Sequence, residues 1–201
     1  ELVGENHKHH SKHADWINEP HFEYLADTVW PHHAYGRNAV YNHGHHGNAI
    51  ISKYSLNAEN NLNLSVIPFS DRGVLHCKTL KELHLFCAHL GLFYRERKIQ
   101  IGKIITYIQA NVPPSTPLII AGDFNDWHKK VGPRFKQDLQ LQEVSAVMHN
   151  KQHATFPAIY PLLPMDRIYY RGLTLTDSKI LKGAPWNQLS DHCAVYAEFS
   201  L

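Results

Sequence analysis

A chain of 201 residues with 43% hydrophobic and 19% charged residues suits a single packed domain over 1–201 and is too apolar for a disordered one. The formal charge of +2 neither supports nor excludes a polyanionic partner, because a local patch can hide in a balanced total. No apolar run approaches the roughly 20 residues that span a bilayer and no signal peptide is visible, so the reading is a cytoplasmic protein, with peripheral membrane association left open.

Taken in chain order, the sequence starts "ELVGENHKHH" with no initiator Met, which reads as the remainder of something longer. "EPHFEYLADTVW" (19–30) places Phe22, Leu25, Ala26 and Val29 on one helical face, with Pro20 near its start and Pro31 after its end. "AYGRNAVY" and "NAIISKY" then flank "NHGHHG" as a hairpin with Gly/Asn turn chemistry. "NLNLSVIPF", "GVLHCKTL" and "ELHLFCAHL" read as further strands, with "SDRG" turning between the first two. "YRERKIQIGKIITYIQANV" (94–112) is a helix striped by Ile101, Ile104, Ile105 and Ile108 and ended by Pro113–Pro114. "PLIIAGDFN" is a short, continuous apolar strand. A helix follows over 131–139, then strands near 166–171, 173–181 and 191–199. Strands outnumber helices in a mixed order, which favours an α+β sandwich of sheets with outer helices.

Polar clusters fall where these strands begin or end. His89 closes one, Asp123 and Asn125 close another, Asp166 opens a third, and Ser190, Asp191 and His192 open the last. Each has an ordinary explanation as a turn, a cap or a surface ion pair, Asp166 with Arg167 included. Neighbouring strand ends can also gather on one rim, as a hydrolytic site requires. The histidine runs at 7–13 and 43–47 read as polar loops, or alternatively as a site for Zn or Ni. Cys77, Cys87 and Cys193 lack paired spacing and read as small buried residues of a reducing compartment.

Five stretches in order, "GNAIISKY" (47–54), "HLFCAHLGL" (84–92), "PLIIAGDFNDW" (117–127), "TFPAIYPLLPMDRIYYRG" (155–172) and "LSDHCAVYAEF" (189–199), resemble the endonuclease/exonuclease/phosphatase (DNase I-like) superfamily. The segment "YGRNAVY…GHHGNA" is similar to a bacterial phosphoesterase subgroup often encoded beside cardiolipin synthase. The resemblance implies a four-layer α/β/β/α sandwich of two mixed sheets with outer helices, here missing its first strand and helix, so that Glu1 stands for the family's metal-binding Glu and Glu5 is the fallback.

By that resemblance the protein is a Mg²⁺-dependent (or Mn²⁺-dependent) phosphoesterase, most simply a phosphodiesterase. Glu1, Asp191 and Asp123 would hold the ion, and His192, oriented by Asp166, would activate water. Asp123 and Asn125 would position water and phosphate, and His89 would donate to a non-bridging oxygen. Asn48 and His46 are candidate substrate contacts. The substrate is a phosphate ester in a lipid headgroup, a small molecule or a nucleic acid, and no obligate protein partner is evident. The alternative is a non-catalytic module binding a phosphate ligand or partner on the same fold.

Overall fold

The structure, a computed structural model, describes residues 2–6, 23–25 and 29–200, the first five as backbone. The chain divides into two compact units, 1–89 and 90–201.

Among its described residues the first unit has six strands: β1 (Leu2–Asn6), β2 (His32–Tyr41), β3 (Gly44–Ser52), β4 (Leu56–Asn63), β5 (Gly73–Thr79) and β6 (His84–His89). β1, β3 and β2 form one antiparallel sheet in that order, and β4, β5 and β6 pair antiparallel in another. The expected hairpin is present but tighter. Only Asn42 and His43 turn, and Tyr41 pairs with Gly44, so His45 and His46 belong to β3 and not to the loop. Because side chains alternate across a strand, His45 is buried against the Tyr35 hydroxyl while His46 meets the Tyr41 hydroxyl. The two sheets pack face to face within this unit. A Cβ on Gly36 would sit 2.3 Å from Asn61 Oδ1, so at this close approach glycine is required for steric reasons.

The strand expected over "NLNLSVIPF" lies earlier, at 56–63. Among the described residues β4 is paired on one side only, to β5, and carries a bulge between Ala58 and Asn60. Such a strand tolerates its run of exposed Asn and Glu, so cross-strand pairing sets its place and the apolar pattern does not.

The second unit holds α1 (Tyr94–Asn111), β7 (Leu118–Asp123), α2 (Val131–Leu139), β8 (Gln142–Glu143), α3 (Val144–His149), β9 (Asp166–Arg171), β10 (Thr174–Leu181), α4 (Trp186–Leu189) and β11 (Ala194–Ser200). β9 pairs antiparallel with β7 on one side and β8 on the other, while β10 and β11 form a separate pair. The isoleucine stripe of α1 is buried as its spacing requires, and the Val112 N–H closes the last turn on Ile108 O before the two prolines. α2 turns Val131, Phe135 and Leu139 inward. Phe135, Phe124 and Tyr169 meet edge to face at 5.1–6.0 Å between ring centres, and this aromatic cluster fixes the base of the loop that follows β7.

The mixed α+β class and nearly every span over 73–200 agree with the sequence reading. β8, α3 and α4 were not anticipated; each is shorter than two turns and too brief to show a period. α3 is nucleated by Glu143, whose carboxylate accepts from Ser145 N and Ala146 N at 3.0 and 2.8 Å. In the helix expected over 19–30, residues 23–25 are helical, while 19–22 and 26–28 fall outside the described residues. No helix among the described residues is long and apolar enough to cross a membrane. The three cysteines are free, Cys77 and Cys193 buried.

Candidate active site

In the second unit the end of β7 and the start of β9 are directly opposed, with Asp123 the register partner of Asp166. Two carboxylates are therefore held at one sheet end by backbone pairing alone. Asp166 Oδ2 lies 2.7 Å from His192 Nδ1. A carboxylate only accepts, so Nδ1 carries the proton, and in the neutral ring Nε2 keeps the lone pair. The hydrogen bond from Asp166 raises the His192 pKa; burial opposes this, and the charges of Asp166, Asp123 and Asp191 reinforce it. His192 and Asp191 precede β11 in a short loop instead of opening the strand, which frees the imidazole from the ladder.

That loop is fixed by a residue the sequence reading passed over. Thr155, fully buried, accepts from Asp166 N and Met165 N through Oγ1 at 3.0 and 3.1 Å, and its carbonyl accepts from Cys193 N at 2.7 Å. One threonine thus anchors both halves of the His–Asp pair. The imidazole also packs on Phe156, 4.8 Å between ring centres. The only sequence signal for either residue was position, just ahead of an apolar loop and "MDR".

The loop after β7 separates the acids of "GDFND" into different tasks. Asn125 has φ 48°, a left-handed turn that brings its N–H to Asp123 Oδ1 at 2.8 Å and its Nδ2 to Asp123 Oδ2 at 3.2 Å. Its Nδ2 also donates to Leu90 O at 2.9 Å. Leu90–Leu92 is held in turn by α1: Gln100 Oε1 accepts from Gly91 N, and Arg97 Nη1 donates to Gly91 O and Leu92 O. Asn125 therefore serves to clamp the Asp123 carboxylate.

Asp126 is a different kind of acid. Wholly buried, it accepts from Lys130 N and Val131 N at the start of α2 and pairs with the buried Arg167 at 3.0 Å. Arg167 also donates to Pro164 O, Asp126 O and the Tyr169 hydroxyl. The ordinary alternative, an Asp166–Arg167 ion pair, is not what forms: alternate residues of β9 face opposite ways, so Asp166 meets His192 and Arg167 meets Asp126.

In the first unit His89 ends β6 opposite Gly73, and Arg72 Nη1 stands 2.7 Å from its Nε2 and 3.0 Å from its Nδ1. A neutral ring has one acceptor nitrogen, so only one of these is a hydrogen bond in any tautomer. Asn48, buried on β3, donates through Nδ2 to Gly73 O and Cys87 O at 2.9 and 3.0 Å, stitching the two sheets together. Its amide nitrogen is thereby committed to backbone, and a substrate could meet only its carbonyl. Glu1 and the histidines of 7–13 lie outside the described residues, and of Glu5 the structure shows the strand pairing with His45.

Among the described residues no three His, Cys, Asp or Glu side chains gather as a ready metal cluster. The donor chemistry at the end of β7 and beside His192 nonetheless fits a hard dication. Asp123 and Asp191 both bear electrostatically on His192, and Mg²⁺ requires only one or two protein carboxylates besides water.

Strand-end acids and a His–Asp pair thus stand on an α+β frame, and comparison with known proteins places the chain in a family. Residues 5–192 match the Endonuclease/Exonuclease/phosphatase family, to which this chain belongs. The chain is 38% identical to the uncharacterized protein YbhP of Escherichia coli K12, the match covering all of this chain and 81% of that protein. Its fold is similar to that of humanized Danio rerio TDP2, with a TM-score of 0.69 and 18% identity over 89% of this chain and 80% of the other. It is likewise similar to a Bacteroides thetaiotaomicron mannosyl-6-phosphatase, with a TM-score of 0.65 and 16% identity over 90% and 81%. Members of the family are hydrolases of phosphoester bonds.

Proposed function

We propose that the protein hydrolyses phosphate esters, with phosphodiesters as the first class to test, using a water molecule deprotonated by His192 and a divalent ion, Mg²⁺ or Mn²⁺. The observation that carries this reading is the 2.7 Å contact of His192 Nδ1 with Asp166 at a sheet end where Asp123 stands directly opposite. His192 Nε2 takes the proton as the water oxygen bonds to phosphorus, and the bond to the leaving oxygen breaks. The proton then passes to that leaving oxygen, which restores the imidazole. Asp166 holds the ring in the required tautomer and stabilises its charged form, as the carboxylate of a hydrolase triad does. Asp123, clamped by Asn125, offers its carboxylate towards water and substrate.

A divalent ion, with Asp123 and Asp191 as its candidate ligands, would neutralise phosphoryl charge and stabilise the leaving oxygen. His89 is a candidate second catalytic group, to be read by substitution. The test is hydrolysis of bis(p-nitrophenyl) phosphate with Mg²⁺ or Mn²⁺ against EDTA, for the wild type and His192→Ala. Metal-dependent turnover lost in the variant supports the reading. No metal-dependent turnover above background in either would favour a phosphate-binding module on a hydrolase fold, and equal turnover in both would remove His192 from the reaction.

A further inference from the structure

Two buried arginines of the second unit have very different surroundings. Every nitrogen of Arg167 donates: Nε to Pro164 O, Nη1 to Asp126 Oδ2 and the Tyr169 hydroxyl, and Nη2 to Pro164 O and Asp126 O. Arg97, on the first turn of α1 and 1% exposed, donates through Nη1 alone, to Gly91 O and Leu92 O. Its Nε and Nη2 are buried and have no hydrogen-bond partner among the described residues. Unmet donors in an interior cost free energy, so the placement that leaves them unmet calls for a compensating gain.

That gain lies in what the guanidinium holds. Its Cζ stands 4.7 Å from the centre of the Trp127 ring, a cation–π contact. Arg97 therefore grips two segments at once, Gly91–Leu92 by hydrogen bonds and the residue two after Asn125 by stacking. Between these segments lies the Asp123 clamp. Leu90 N donates to Asp123 O at 2.9 Å, Leu90 O accepts from Asn125 Nδ2 at 2.9 Å, and Asn125 N reaches Asp123 Oδ1 at 2.8 Å. Gln100, one turn further along α1, secures the same segment by accepting from Gly91 N at 2.8 Å. Asn125 has φ 48°, a sparsely populated conformation that persists where its surroundings fix it from more than one side. Leu90 O fixes its side chain, and the Arg97–Trp127 stack fixes the chain just after it.

We propose that Arg97 is a positioning residue for Asp123, acting through Leu90–Leu92 on one side and Trp127 on the other. It keeps the Asn125 turn closed, so that the Asp123 carboxylate is held in one orientation. An arginine is required, since an ammonium can bond the two carbonyls but has no flat face to lay on an indole. What Asp123 does for catalysis follows from the phosphoesterase reading, on which this role rests; what holds Asp123 follows from the contacts alone.

The test uses Trp127→Leu, which removes the ring at a half-buried position, with Trp127→Phe and Arg97→Lys beside it. Amide hydrogen exchange is read at Asn125, whose N–H goes to Asp123, against the amides of β7 and α2. In parallel, kcat and KM are measured for bis(p-nitrophenyl) phosphate with Mg²⁺ or Mn²⁺. In Trp127→Leu, Asn125 exchange should rise about tenfold or more while β7 and α2 hold, and kcat should fall about 10–100-fold with KM within about twofold. Trp127→Phe, which keeps a ring face for the guanidinium, should recover most of both, and Arg97→Lys should match Trp127→Leu. Unchanged Asn125 exchange in Trp127→Leu or Arg97→Lys overturns the role. So does exchange that rises alike across β7 and α2, which is general loosening, or a loss of kcat that Trp127→Phe does not recover. A wild type without turnover removes the phosphoesterase reading instead, and the Asn125 exchange then decides the positioning role by itself.

Discussion

Replacing Asp126 by Asn keeps the side chain's size and removes one charge. In the folded protein that charge faces Arg167 at 3.0 Å, with both side chains buried, and the same carboxylate accepts from Val131 N at 2.8 Å and Lys130 N at 3.0 Å. Tyr169 also touches Arg167, but burial pushes its phenol up to about 12, so it is neutral at physiological pH and cannot replace the anion. The variant leaves a guanidinium without a contacting counter-charge in the interior, a defect that costs about 3–5 kcal/mol. That is a large share of the 5–15 kcal/mol typical of a domain, and at an ordinary urea dependence it lowers the unfolding midpoint by about 2 M. The assay is urea unfolding followed by circular dichroism. Adding Arg167→Met should cost less than the sum of the single changes, by about 1 kcal/mol or more, because the two groups pay for each other's burial. A midpoint shift under about 0.3 M for Asp126→Asn would refute the argument, since the Arg167 charge would then need no partner.

Asp123→Asn, three residues away, should do the reverse: phosphodiester turnover falls by about 100-fold or more while the urea midpoint stays within about 0.5 M of wild type. Asn48→Ala removes the donor to two strand carbonyls and should destabilise the first unit by about 1–3 kcal/mol, read by the same unfolding assay. His76 is buried against Phe86 and bonded to His84, and burial, then the charges of His84 and Lys78, lower its pKa to about 4. The unfolded chain therefore binds this proton first, and stability is full above about 6.5, falls by about 3 kcal/mol as the pH drops to about 4, and changes no further on this account. His76→Gln should flatten that acid limb; an unchanged limb would place its cause elsewhere.

The elements that the sequence shows best are those whose period is set by one neighbour. The isoleucine stripe of α1 and the apolar run of β7 face a single core, so their spacing states their structure directly. β4 obeys its cross-strand partners more than its own pattern, and its place could not be read from apolar spacing. The polar residues divide in the same way. "GDFND" announces carboxylates at a strand end, but only the left-handed turn at Asn125 separates Asp123, held at the end of β7, from Asp126, turned inward to Arg167. Likewise "MDR" suggests a neighbouring ion pair, while the two-residue alternation of β9 sends its charges to different faces. Thr155 had only its place at the head of the 155–172 stretch as a sequence signal, because its role lies in three backbone contacts made by residues up to 38 positions away.

The central claim is that Asp166 and His192 act as one unit on the attacking water. Its most direct measurement is a double-mutant cycle on kcat for phosphodiester hydrolysis with Asp166→Asn, His192→Ala and both together. If the pair is a unit, His192→Ala lowers kcat by roughly 10²–10⁴-fold, Asp166→Asn by a comparable factor, and the double variant by no more than His192→Ala alone. Losses that multiply, or a His192→Ala enzyme as fast as wild type, would contradict it.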